Sequence, residues 1–308
     1  MLFLEMRGRM LTRYFVDTHV HFWNLALMYY DWLTDKYIEN DIIGDYHSIS
    51  SRDYLPADFE REVPPDHRPL VVHLECALGH KDPVDETKWI ASLAVKNDWI
   101  GALVGRGDLR DTRFEELLER HMSASNLFRG IRMFSGPDVW TTSGFKNGLR
   151  LLRDRKLILD LEADADTLPQ AAEMAGVYDD LRIILEHAGF PKQRTVEYFH
   201  RWRKAIKCFA AHPNVACKIS GLGMVDHGWS ENSIRPWVEE CFECFGAERC
   251  MFGSNWPVDS LYSSYAALVK ACTNITKVLS EADQQKFFYQ NAVDYYSICN
   301  GAADVKGA

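Results

Sequence analysis

The chain predicts a (β/α)8 barrel, an α/β fold, on three observations. Eight short apolar runs alternate with helix-like segments along most of its 308 residues, and that rhythm makes a parallel sheet with right-handed crossovers. The length suits one barrel of about 250 residues plus an insertion. Nearly every run ends in a polar residue: His21, Glu75, Arg106, Arg132, Glu162, His187, Lys218 and Asn255. Polar groups repeated at one end of a barrel mark its chemical face.

The elements follow in order. Tyr14-Phe-Val-Asp-Thr-His-Val-His21 is an apolar run carrying two histidines one residue apart. In an extended strand alternate residues share a face, so His19 and His21 project together. Residues 24–69 form a long aromatic-rich insertion after this first strand. It is too long for an ordinary βα loop and leaves the C-terminal mouth, where it can serve as a lid or pack as a satellite core. The next strands are read at 70–76, 100–106, 127–133, 157–162, 182–187, 215–220 and 250–254. Helices are read at 83–97, 112–123, 143–155, 166–175, 195–211, 233–245, 260–279 and 281–298. No internal repeat or linker composition interrupts the series. The expectation is a single domain over 1–308 with its core at 14–299 and with 1–12 and 300–308 frayed.

Composition excludes several classes. A net charge of −9 argues against a nucleic-acid partner. No apolar run approaches the ~20 residues of a membrane span, and the first ten residues are too short and too charged for a signal peptide. The eight cysteines are scattered rather than framed, which reads as small buried hydrophobes in a reducing, cytoplasmic setting. Cys241-Phe-Glu-Cys244 sits inside a helical pattern without a second Cys/His pair and is read as structural. The partner expected is a small molecule, with assembly into a homo-oligomer left open.

Several stretches resemble the amidohydrolase superfamily, in the branch containing sugar-lactone and pyrone-dicarboxylate lactone hydrolases. They are Asp17-Thr-His-Val-His-Phe-Trp23, Tyr30-Asp-Trp-Leu33, Tyr54-Leu-Pro-Ala-Asp58, Gly130-Ile-Arg132, Glu186-His-Ala-Gly-Phe-Pro191, Lys218-Ile-Ser-Gly-Leu222 and Met251-Phe-Gly-Ser-Asn-Trp-Pro-Val258. The resemblance implies water attack on the carbonyl of a small lactone, anionic or sugar-derived. Its paired first-strand histidines fall on His19 and His21, its sixth-strand histidine on His187, and its eighth-strand aspartate on Asn255. An amide cannot act as a general base, so Asn255 is expected to orient water while another group activates it.

Glu75 is the preferred base, on the reading that His73 and Glu75 face the pocket while Val72 and Leu74 face the helices. A neutral His187 or first-strand histidine is the alternative. Asp259 reads as a helix N-cap. Trp23, Arg132, Glu162, Lys218 and Trp256 are expected to line the substrate, Arg132 through its bidentate fork or else paired with nearby carboxylates. One divalent metal, zinc or manganese, would sit on His19, His21 and His187 beside Glu75; a metal-independent histidine cluster is the alternative. The fourth strand carries Arg129 and Arg132 in place of a bridging lysine, so a binuclear centre is not expected. The rival functions are a metal-dependent decarboxylase of the same superfamily and a catalytically silent ligand-binding member.

Overall fold

A computed structural model of the chain describes residues 14–34, 42–134, 140 and 142–298. The tails expected to fray, and the middle of the first insertion, lie outside these residues. Eight strands form one parallel sheet in sequence order: β1 (Val16–Val20), β2 (Leu70–Leu74), β3 (Ile100–Arg106), β4 (Phe128–Phe134), β5 (Ile158–Glu162), β6 (Ile183–Leu185), β7 (Val215–Ile219) and β8 (Cys250–Phe252). Helices fill the connections from β2 onward, so the (β/α)8 barrel expected from the alternation is the fold observed.

Several strands are shorter than their apolar runs. β6 stops at Leu185 and β8 at Phe252, and the next amide of each still donates to the neighbouring strand, Glu186 to the Leu161 carbonyl at 2.9 Å and Gly253 to the Ile219 carbonyl at 3.2 Å. Val16, Val72, Leu74, Ala102, Val104, Ile158, Ile184, Ala216 and Met251 fill the barrel. Ala292, Tyr296 and Ile298 plug the end at which the strands begin.

That inner cluster corrects the reading of β2. Val72 and Leu74 point into the barrel, whereas His73 turns outward, its Nε2 3.4 Å from Glu86 of the helix Pro83–Ala94. Glu75 reaches the mouth because the regular strand has ended at Leu74.

The insertion carries the short helices Asp31–Thr34, His47–Ser50 and Pro56–Glu62. Trp23, Tyr30, Tyr46, Tyr54 and Phe59 are buried in the main core, so most of these rings pack the segment onto the barrel. All the described cysteines are free thiols, and Cys241 and Cys244 lie within the helix Glu231–Phe245 as the pattern implied.

Closure brings β1 against the end of β8. Val20 bridges Trp256; the His21 amide donates to the Trp256 carbonyl at 2.8 Å and the Trp256 amide to the His19 carbonyl at 3.3 Å. Thr18 Oγ1 donates to the Phe252 carbonyl at 2.7 Å. The buried Asp17 carboxylate locks the seam. It accepts from the Ser254 amide at 2.8 Å, the His19 amide at 3.2 Å and the Tyr265 hydroxyl at 2.8 Å. Replacing Asp17 with Ala orphans these buried donors, so Asp17→Ala should cost about 2–4 kcal/mol of unfolding free energy. Tyr265→Phe, which removes one donor, should cost about 1 kcal/mol; equal denaturation midpoints for both variants and the parent would contradict this account of the seam.

Candidate active site

Three imidazoles meet where the strands end. His19 lies between two others, with ring centroids 4.9 Å from His21 and 4.4 Å from His187. A register shift between Asp17 and Val20 sets the strand end so that both first-strand histidines face the cup, as their spacing predicted.

His21 Nδ1 is 2.9 Å from the Leu74 carbonyl. A carbonyl only accepts, so Nδ1 carries the proton and Nε2 keeps its lone pair. His187 has a left-handed backbone, φ 52°, which turns its ring from the end of β6 toward β7. There Nδ1 is 2.9 Å from Ser220 Oγ. Burial holds all three imidazoles neutral, His19 and His21 well below the usual range and His187 down to about 3; Arg132 adds to the effect at each.

Glu186, at the head of the stretch Glu186-His-Ala-Gly-Phe-Pro191 and given no role above, also belongs to this cluster. Period-two alternation from the inward Ile184 would have found it. Its carboxylate is fully buried, 4.0 Å from His19 Nδ1 and 3.7 Å from His187 Nε2. Arg132 grips it, Nε donating to both oxygens at 3.0 Å and Nη2 to Oε2 at 2.8 Å. Burial pushes the carboxyl up, but Arg132, Lys218 and His187 drag it down to about 2, so it is ionised.

Arg132 is therefore the hub of three carboxylates. Its Nη1 is 3.9 Å from Glu75 Oε1 and its Nη2 3.5 Å from Glu162 Oε2. Glu75 is buried with neither carboxyl oxygen hydrogen-bonded. Burial, opposed by Arg132, raises it to about 8. Glu162 is raised by burial to about 7 and has a side chain 26% exposed, which marks the open side of the cluster.

Two other groups stand apart. Lys218 is fully buried and paired with Asp160 at 2.7 Å, and the same carboxylate oxygen accepts the Tyr296 hydroxyl at 2.7 Å. This network ties the barrel floor to the last helix. Trp23 and Trp256 are also enclosed; their indole N–H groups donate to the Arg52 carbonyl at 2.8 Å and to Glu62. In this structure both rings anchor the insertion.

Asn255 sits on the segment that pairs with His19 and His21. Its φ of 57° is a left-handed conformation that asparagine tolerates better than most residues. Asp259 is not a helix cap: Ser264 caps the helix Tyr265–Thr276. Asp259 instead accepts from the amides of Gly223 at 3.3 Å and Met224 at 3.0 Å and from Asn255 Nδ2 at 3.2 Å.

The donor set fits one divalent cation. Both His19 ring nitrogens are buried and without a hydrogen-bond partner, and ligand atoms of His19, Glu186 and His187 all lie within 4.8 Å of one another. Two imidazoles and a carboxylate suit zinc or manganese. Glu186, rather than His21, completes this group.

A family model described as amidohydrolase matches residues 16–298. The chain is 37% identical over 295 residues to the uncharacterized protein y4mH of Sinorhizobium fredii, covering 92% of this chain and 98% of that one. It is 29% identical over 266 residues to an L-fucono-1,5-lactonase of Burkholderia multivorans, with 81% and 84% of the two chains covered. A crystal structure of an amidohydrolase from Burkholderia multivorans with bound zinc superposes with a TM-score of 0.79 at 27% identity, over 92% of this chain and 99% of that one.

Gly221 seats the His187 ring. Its φ is 61°, and a Cβ there would lie 2.5 Å from His187 Nδ1. Gly221→Ala should cost roughly 1–2 kcal/mol in backbone strain alone and expel the imidazole from its niche. NMR titration should then show one more histidine titrating near the ordinary value of about 6.5; an unchanged set of histidine titrations would refute the seating role.

Proposed function

The chain belongs to the amidohydrolase family, and from that premise we propose that it hydrolyses a small sugar-derived lactone by water attack at the mouth of the barrel. One observation carries the reading: a buried imidazole, His19, with both ring nitrogens unpartnered, held between two neutral histidines at the chemical end of the fold. Buried polar atoms left open in this way await a polar ligand. The lactonase relatives support the reaction class. The charge balance supports a neutral substrate over an anionic one. Arg132 is committed to Glu186 and Lys218 to Asp160, so neither of these two cations is free for a substrate carboxylate.

The geometry supports a role for each residue. His21 offers the Nε2 lone pair, and His187 is held by Ser220 to face His19 and Glu186. Arg132 fixes the Glu186 carboxylate in place and keeps the cluster near neutrality. Glu75 is the base that takes the proton of the attacking water, because it is the fully buried carboxyl in the cluster with no hydrogen bond to hold its lone pairs. Glu162, on the open side, accepts substrate hydroxyls. His19, Glu186 and His187 would hold one divalent ion, which when bound would supply Lewis-acid polarisation of the lactone carbonyl.

Acid release from a panel of aldonolactones tests the proposal. Ring opening should fall by about 100-fold or more in His21→Ala and His187→Ala, and tight binding without turnover by the parent protein would favour the silent reading. A base must be ionised to act. With Glu75 raised to about 8, the rate should climb as pH rises toward 8 and level off above it. Glu75→Gln should abolish that limb, and a limb that survives the substitution would move the base elsewhere. Metal analysis of protein prepared without added metal, with turnover before and after a chelator, tests the ion; full activity in stripped protein would leave the histidines acting alone.

A further inference from the structure

Where the resemblance implies an aspartate, this chain has Asn255, and the structure shows what holds that amide. The two Nδ2 protons have two acceptors: Asp259 Oδ1 at 3.2 Å and Met224 Sδ at 3.6 Å. With its donors engaged, the side chain has only its oxygen left to offer. We propose that Asp259 is a positioning residue: it pins the Asn255 amide so that the oxygen, not the nitrogen, is presented at the mouth. Asn255 then accepts a hydrogen bond from the attacking water or a lactone hydroxyl, and Asp259 itself exchanges no proton with the reactants. This inference rests on the reading of the mouth as the reaction site.

The surroundings of Asp259 fit a fixed acceptor. It is 1% exposed, and besides Asn255 it takes the Gly223 and Met224 amides of the loop after β7. It therefore ties the β7 and β8 loops together while it orients the amide. From the helix Tyr265–Thr276 it is faced by Cys272, whose thiol burial, with Asp17 and Asp259, pushes up to about 12 and so keeps neutral. A second carboxylate at position 255 would stand within hydrogen-bond distance of Asp259, where two like charges cannot both ionise cheaply.

Three measurements test this. In Asp259→Ala, kcat on a lactone substrate should fall by about 100-fold with KM changed much less. Asp259→Asn keeps an acceptor oxygen and should recover at least about tenfold over Asp259→Ala. If Asp259→Asn is as inactive as Asp259→Ala and loses a pH limb, Asp259 is itself the base and the proposal falls.

The other two need no turnover. The Asn255 side-chain amide protons in the parent protein should exchange slowly with solvent, and quickly in Asp259→Ala; fast exchange in both would overturn the pinning. Asn255→Asp should be destabilised relative to the parent progressively from about pH 5 to pH 8, because the unfolded state ionises there more readily than the folded pair. A constant difference across that range would contradict the contact. If no lactone is turned over, the functional reading fails, and these last two arms decide the placement of the amide by themselves.

Discussion

The seam between β1 and β8 is the constraint on which the site depends. A parallel sheet of eight strands has two edges until something joins them, and here the join is a handful of backbone bonds reinforced by one buried carboxylate. Asp17 reaches across to the Ser254 amide and the Tyr265 hydroxyl. Burial raises it to about 6 against the pull of those same donors. The residues on either side of the seam are those of the candidate site, His19 and His21 on one side and Asn255 on the other. Chain segments more than 230 residues apart are thereby held in hydrogen-bonding register.

Above the seam, charge is arranged to keep imidazoles neutral and one carboxylate ionised. Arg132 sits among Glu186, Glu75 and Glu162 and satisfies them unequally. Glu186, gripped by the fork, stays charged. Glu75, farther off and without hydrogen bonds, is pushed toward neutrality. Two carboxylates close in space but pushed in opposite directions are what acid–base chemistry needs near neutral pH. The Lys218–Asp160–Tyr296 network beneath them is closed to solvent, and it fixes the floor on which this cluster stands.

Much of this was legible in the sequence, for reasons tied to particular residues. The barrel followed from the alternation of short apolar runs with amphipathic stretches, and Ile100–Arg106 was bounded as observed because its run is flanked by clear breaks. The His19/His21 pairing followed from period-two geometry. Glu186 is hard to single out in the sequence because it sits beside a more conspicuous histidine. The direction of His73 is not legible because Val72 and Leu74 suit a helix-packed outer face as well as a barrel interior, and only the assembled cluster distinguishes them. The partners of Trp23, Trp256 and Asp259 lie far along the chain or in another loop, where spacing carries no information. The same holds for Gly221, whose missing side chain matters only because His187 folds back against it.

The central claim is that the histidines of β1, the histidine after β6 and the amide after β8 form one cup that holds a lactone during ring opening. A crystal structure of the protein with a bound aldonic acid, the product of that reaction, tests it most directly. The account predicts the product carboxylate against His19 and His187, with a hydroxyl or carboxylate oxygen at the Asn255 amide and the sugar chain leading out past Glu162. Product bound outside the barrel mouth, or in the mouth but out of reach of both His19 and Asn255, would contradict it.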